Sequence, residues 1–436
     1  MIKVLHFSDI HMGSGFTHGH INPETGLNTR LEDFVQTLGR CIDRAIADPV
    51  DLVLFGGDAF PDATPPPYVH EAFASQFRRL ADAEIPTVLL VGNHDQHSQG
   101  QGGASLCIYR TLGVPGFIVG DRLDTHRIST QNGAVQVITL PWLTRSALLT
   151  RPETEGLSMG EVNHLLSERL WVALEGEIRR LDPDLPTVLL AHAMIDTATY
   201  GAERFLAVGK GFTLPMALLA RPCFDYVALG HVHRHQVLNQ QPPVVYPGSI
   251  ERVDFSEEKE DKGFVMVNLS KGQTTFEFCP LPVRPFRTIE VDLSAAENPH
   301  KKLLKALPRD RIQDAVVRLI YHLHSDQIDQ IDQTELHQVL SAAHSYTIRP
   351  ELSSQLARPR LPELGIGNQL DPLVALETYL TNREDLREMQ ADILAAAQSL
   401  LAEDEALPLE ALTPLDEPAM SSLQMADNSD QQLRLL

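Results

Sequence analysis

Histidine and carboxylate residues recur in this chain in short, ordered clusters. They are Asp9-Ile10-His11, Gly56-Gly57-Asp58, Gly92-Asn93-His94-Asp95, Ala191-His192 and Gly230-His231-Val232-His233. Carboxylates, imidazoles and an amide oxygen, with no thiolate among them, suit divalent metals of intermediate hardness such as manganese or iron. One carboxylate can bridge two cations, and two cations about 3.5–4 Å apart clamp a phosphoryl group during in-line displacement. A cation also acidifies water, towards a pKa of about 7 in the best case. A phosphodiester is anionic and has a poor leaving group, so it needs both charge neutralisation and a ready nucleophile. Taken singly, His11 reads as a polar loop residue, His192 as a hydrogen-bonded core histidine and Gly56-Gly57-Asp58 as an ordinary strand exit. Their joint order carries the reading of a dinuclear metal site.

Each cluster follows a short apolar run. The runs Ile2–Phe7, Asp51–Phe55, Thr87–Val91, Val135–Leu140, Thr187–Ala191 and Tyr226–Leu229 lack clean alternation, which predicts strands buried on both faces. Helix-like stretches such as Leu31–Ala47 and Val69–Ala83 lie between them, so the class is α/β. In an open α/β sheet the carboxyl ends of the strands form the ligand crevice, and the clusters should converge on one rim. Val244–Tyr246, Gly263–Leu269 and Thr275–Cys279, without intervening helices, predict a β-meander completing the sheet system. After Pro282 the pattern becomes β-α-β-α-β: Phe286–Leu293, His300–Leu307, Ala315–Leu323, Thr334–His344 and Ser345–Arg349. Ser353–Gly367 reads as a linker, followed by helices over Asp371–Leu380 and Glu384–Glu403. In the second helix Leu386, Met389, Ile393, Ala396 and Leu400 form one apolar stripe, suited to its own domain or to a partner.

With 436 residues the prior is about three domains at roughly 150 residues each. Hydrophobic residues at 43% and charged residues at 22% exclude wholesale disorder. Cys41, Cys107, Cys223 and Cys279 are far apart and include no CxxC pair, so neither a zinc knuckle nor a disulfide framework is indicated. The start MIKVLHFSDIH lacks the layout of a signal peptide, and no apolar run approaches a membrane span of about 18 residues, so a cytoplasmic protein is expected. The net charge of −22 argues against an unaided nucleic-acid binder. It is uneven, however. Residues 403–436 hold eight acids and one base, a solvated acidic tail. Between Arg284 and Arg311 seven bases face four acids, a patch that a phosphate backbone or plain solvent would suit.

The ordered set Asp-x-His, Gly-Asp, Gly-Asn-His-Asp, Ala-His, Gly-His-x-His resembles the calcineurin-like metallophosphoesterases. Protein Ser/Thr phosphatases carry Asp-Arg-Gly and Gly-Asn-His-Glu instead. Purple acid phosphatases place a tyrosine where Pro61 stands. Cyclic-nucleotide phosphodiesterases share all five motifs. The segment Tyr246-Pro247-Gly248-Ser249-Ile250-Glu251-Arg252-Val253-Asp254-Phe255-Ser256-Glu257, followed by Lys262-Gly263-Phe264, resembles the SbcD-type DNA repair exonucleases.

That resemblance implies a β-sandwich flanked by helices over residues 1–283, a small α+β DNA-binding cap over 284–352 and, by position, partner-binding helices over 368–405, while composition gives the linker over 353–367 and a disordered acidic tail over 406–436. The resemblance implies that Asp9, His11 and His233 hold the first of two Mn²⁺ ions, with Mg²⁺ or Fe²⁺ as alternatives. Asp58 bridges both, and Asn93, His192 and His231 hold the second. His94 would protonate the leaving 3′-oxygen or stabilise the transition state, with Asp95 orienting it. His235 is expected outside the metal shell, His18 and His20 in a solvent-exposed loop, and Ser249 and Arg252 either at DNA or in a tight turn. The implied activity is 3′→5′ duplex exonuclease and hairpin and single-strand endonuclease action in double-strand-break repair. The implied partners are DNA and an SbcC-type ABC ATPase, joined by a homodimer into a heterotetramer. Two rivals stand beside it: a cyclic-nucleotide or other small-molecule phosphodiesterase, and a non-catalytic DNA-end-binding subunit.

Overall fold

The computed structural model describes residues 1–96, 103–143, 157–201, 213–353, 372–381 and 389–405. Strands β1 (Ile2–Phe7), β2 (Leu52–Phe55), β3 (Thr87–Leu90) and β4 (Phe117–Gly120) run parallel in register. β5 (Asp124–Thr130), β6 (Gly133–Leu140) and β7 (Thr187–His192) begin a second sheet, and β8 (Met194–Ile195) and β9 (Thr213–Leu214) form a separate pair. β10 (Tyr226–Gly230), β11 (Gln236–Gln240) and β12 (Pro243–Tyr246) complete that second sheet in the order β11-β12-β10-β7-β6-β5. The chain then returns to the first sheet with β13 (Gly263–Leu269) and β14 (Thr275–Pro280), giving β14-β13-β1-β2-β3-β4.

The two sheets stack face to face, and this explains the unbroken apolar runs. Val4, Leu52, Leu54, Val88 and Leu90 of the first sheet meet Val137, Val188, Leu190, Tyr226 and Ala228 of the second. The alternate residues Leu5, Phe7, Val53, Phe55 and Leu89 pack outwards on the helices Thr29–Ala47 and Pro67–Asp82. On the far side, Ile138, Leu189, Val227 and Leu229 pack on the helix Met159–Ile178 through Leu166, Leu170 and Leu174. Helix Thr29–Ala47 starts where the Asn28 side chain accepts from the Arg30 amide, and its Leu31, Phe34, Leu38 and Ile42 stripe turns inwards. Asp48 and Pro49 close it.

The expected β-meander does not form. β12 pairs parallel to β10 in the second sheet, whereas β13 and β14 form an antiparallel hairpin on β1 in the first. The link between them crosses from one sheet to the other, and a sequence rhythm without helices cannot distinguish these two routes.

The β-α-β-α-β segment forms a parallel three-stranded sheet of β15 (Phe286–Asp292), β16 (Val316–His324) and β17 (Ser345–Ser353). Asn298 and Asp332 cap the helices Pro299–Lys305 and Gln333–Leu340. Ile289, Leu303, Leu319, Tyr321 and Leu336 form its own core. Residues 1–353 are one compact unit. Arg284 donates twice to Asp33 at 2.6 Å, and Thr29 Oγ1 lies 2.9 Å from His344 Nε2, so polar contacts join this segment to helix Thr29–Ala47.

Residues 354–436 form a second unit. It contains the helices Pro372–Thr381 and Gln390–Glu405. Met389 is 56% exposed, Ala396 is exposed and Ile393 is half-buried. Leu386, the Leu400 side chain, most of the predicted linker and the acidic tail lie outside the described residues.

Candidate metal centre

The five clusters meet at the carboxyl ends of β1, β2, β3, β7 and β10 and the turns that follow them. Four of the predicted ligands adopt the left-handed conformation: Asp9 (φ 53°), His11 (48°), Asp58 (59°) and His231 (106°). Residues other than glycine persist there at a cost of order 1–3 kcal/mol each, and they cluster at functional sites. Two backbone bonds tie the turns after β1 and β2 together: Asp9 N–H to Gly57 C=O at 2.9 Å and His11 N–H to Asp58 C=O at 3.1 Å. Glycine is required where the sheets close on each other. A Cβ on Gly230 would collide with the Gly56 carbonyl oxygen, and one on Gly57 (φ 98°) would lie 2.6 Å from His192 Nδ1.

The donor atoms fall into overlapping sets. Asp9, His11 and His233 form one, with His233 Nε2 facing His11 Nε2 at 3.0 Å. Asp58, His192 and His231 form another. Asn93 Oδ1 lies 2.9 Å from both His192 Nε2 and His231 Nδ1 and joins this second set. Asp58 Oδ2 stands between the sets, 3.3 Å from His192 Nε2 and 3.7 Å from His11 Nε2. The structure therefore brings all seven sequence-predicted ligands to one place. A third set, His11, Asp58 and His94, puts His94 beside the Asp58 carboxylate that the first two sets share. The His94 amide donates to Asp58 Oδ1 at 2.8 Å, and His94 Nδ1 meets the Pro61 carbonyl at 2.7 Å.

Burial and mutual charge set the protonation of the group. Burial opposes a charge on His192, yet the Asp58 carboxylate raises that imidazole to about 9. Burial likewise opposes a charge on His233, and Glu257 raises it to about 9. His11 and His231 are pushed well below the ordinary range, first by burial and then by His233 and His192 respectively. Burial would raise Asp58, but the charge of His192 holds it well below the usual carboxylate range. Asp9 is raised, chiefly by burial. The outer nitrogens of two imidazoles are fixed from behind: His192 Nδ1 by the Gly56 carbonyl at 2.7 Å, and His233 Nδ1 by Glu257 at 2.7 Å.

Several expectations change. Asp95 does not orient His94. Its carboxylate accepts from the amides of Asp58 (2.8 Å), Ala59 (2.9 Å) and Gly92 (2.9 Å), holding the β2 and β3 exits together. Burial and then the Asp58 charge raise it to about 7. Ser249 is buried, and Arg252 donates to the carbonyls of Glu257, Arg284 and Glu260, so both brace the turn. His18 is half-buried with its ring against Phe255 and Phe286, while His20 is exposed. His235 bonds the Tyr246 carbonyl at 2.8 Å and stacks on Phe278, outside the donor sets. Sequence reasoning missed Glu257 and also Trp142, which stacks on His231 with centroids 4.8 Å apart.

The donor set fits divalent cations. It offers nitrogen and oxygen atoms only, in two clusters sharing one carboxylate, and His231 Nε2 is a buried atom with no hydrogen-bond partner. Residues 2–235 match the model of the calcineurin-like phosphoesterases. A solved Thermus thermophilus protein, TT1561, is 15% identical, covering 64% of this chain and 98% of its own at a TM-score of 0.36. A dimetal phosphatase from Danio rerio is 10% identical, covering 63% and 98% at 0.34. A purple acid phosphatase from yellow lupin is 15% identical, covering 62% and 49% at 0.37.

Proposed function

The chain belongs to the calcineurin-like phosphoesterase family, and from that premise we propose that it is a manganese-dependent DNA nuclease of the SbcD type. What supports a DNA substrate is the second α/β module, residues 286–353, joined by polar contacts to the helix that follows the first motif. A small cyclic nucleotide needs no such cap.

When bound, two cations neutralise the phosphodiester and lower the pKa of water. Asp58 would be shared by both, with Asp9, His11 and His233 holding one and Asn93, His192 and His231 the other. His94 is half-exposed and gives its Nδ1–H to the Pro61 carbonyl, which leaves Nε2 to hold or deliver a proton at the departing 3′-oxygen. The proposal extends to a homodimer working with an SbcC-type ATPase in the cytoplasm. Among the described residues no helix is long and apolar enough to cross a membrane. The stripe around Ile393 is the proposed ATPase contact, so Ile393→Glu should abolish co-purification and leave metal binding intact.

The test is incubation of the purified chain with Mn²⁺ and either an end-labelled DNA duplex or cyclic AMP. Shortened DNA that disappears in His94→Ser is the expected result. Turnover of cyclic AMP with intact DNA would replace the nuclease by the small-molecule phosphodiesterase.

A further inference from the structure

The two halves of the metal centre differ in what stands behind them. On one side are the Asp9 carboxylate and two imidazoles, and His233 is backed by a second carboxylate, Glu257, at 2.7 Å. On the other are the neutral Asn93 amide and two imidazoles. There His192 is backed by the neutral Gly56 carbonyl, and His231 lies under the face of Trp142. Asp58 is common to both. The first half thus has one anionic donor and one anionic backing group that the second lacks.

We propose that the two cation sites are unequal, and that Glu257, acting through His233, makes the Asp9–His11–His233 site the tighter one. The inference rests on the two-cation reading above. A carboxylate behind a ligating imidazole raises the ligand's basicity and fixes its ring, more strongly than a carbonyl does. Glu257 is a positioning residue, and its surroundings are built for that task. It is 4% exposed, and its partner Lys262 is 1% exposed. Oε2 is occupied by Lys262 Nζ at 2.7 Å and by the Val253 amide at 3.1 Å, which leaves Oε1 for His233. Lys262 also donates to the His233 carbonyl at 3.0 Å, and the Ser249 amide donates to the same carbonyl at 3.0 Å. Burying a lysine and a glutamate is costly unless geometry and partners compensate, and here both ions converge on one ligand. The segment Tyr246–Gly263 therefore serves as a clamp on His233.

The experiment is calorimetric titration of the metal-stripped full chain with Mn²⁺, beside the Glu257→Gln, Asp9→Asn and Asn93→Ala variants. Two resolved steps are expected. Asp9→Asn should remove the tighter step and Asn93→Ala the weaker. Glu257→Gln should weaken the tighter step about 10–100-fold, the usual scale for such backing groups, and leave the weaker within about twofold. A purely structural role for Glu257 would instead lower the metal-free melting temperature and weaken both steps together. If Glu257→Gln does not fold, Glu257→Asp, which keeps the charge but shortens the reach to His233, is read in its place. Loss of the tighter step in Asn93→Ala, or an unmoved tighter step in the Glu257 variant, would overturn the proposal. Two sites filled in this order without DNA cleavage would keep it and remove the nuclease reading. No Mn²⁺ uptake at all would remove both.

Discussion

The rim of the sandwich and the cap are both built from parallel strands joined by helices, yet they use their residues differently. The rim buries Asp9, His11, Asp58, Asp95, His192 and His231 and holds four of the predicted ligands in the left-handed region. In the cap, among the described residues, Gln327 is the buried polar side chain and Asp314 the one non-glycine residue at positive φ. The cap's strands alternate, with Leu319, Tyr321 and Leu323 inwards and Arg318, Ile320 and His322 half-exposed. Parallel topology alone therefore does not make a site. Strain and buried polarity, concentrated where two sheets close over glycines, distinguish the catalytic region from the supporting one.

This contrast can be broken by variants. Asp58→Asn removes the carboxylate shared by both donor sets, and phosphodiester cleavage should fall by about 10³-fold or more in single-turnover assays. His94→Ser should lower kcat by about 10²–10³-fold, within the usual range for a lost general acid, with Mn²⁺ affinity within about twofold by calorimetry. Leu319→Ala in the cap core should cost about 2–5 kcal/mol in urea denaturation and leave Mn²⁺ binding unmoved. Gly230→Ala, forced against the Gly56 carbonyl that fixes His192, should lower stability and Mn²⁺ affinity together. Weakened Mn²⁺ binding in Leu319→Ala would show that the two regions are not separable. The smallest effect concerns pH. His192 and His233 hold their protons up to about 9, and cation binding must displace them, so apparent Mn²⁺ affinity should rise from pH 6.5 to 8.5. Proton release, read as a dependence of the binding heat on buffer, checks the sign.

The convergence of the five clusters was legible because each follows an apolar run, while the choice of seven ligands among their residues came from the family resemblance. His6 shows the limit of residue type: in the same N-terminal run it bonds Tyr226 and Leu229, and burial lowers it to about 3. The edge strands β5 and β11 were missed because Asp124–Thr130 and Gln236–Gln240 are polar and pair on one side only. Glu257 and Lys262 stood in the segment that carries the family resemblance, yet no role fell to them, because a sequence does not show that both are buried and turned towards His233. Asp95 was assigned to the wrong neighbour because adjacency in sequence does not show which amides a carboxylate will reach.

A two-cation centre that shares Asp58 is best tested with a crystal of the Mn²⁺-soaked chain and anomalous scattering. Two peaks about 3.5–4 Å apart are expected, with the Asp58 carboxylate between them and His94 bound to neither. A single peak, or one seated on His94, would contradict it.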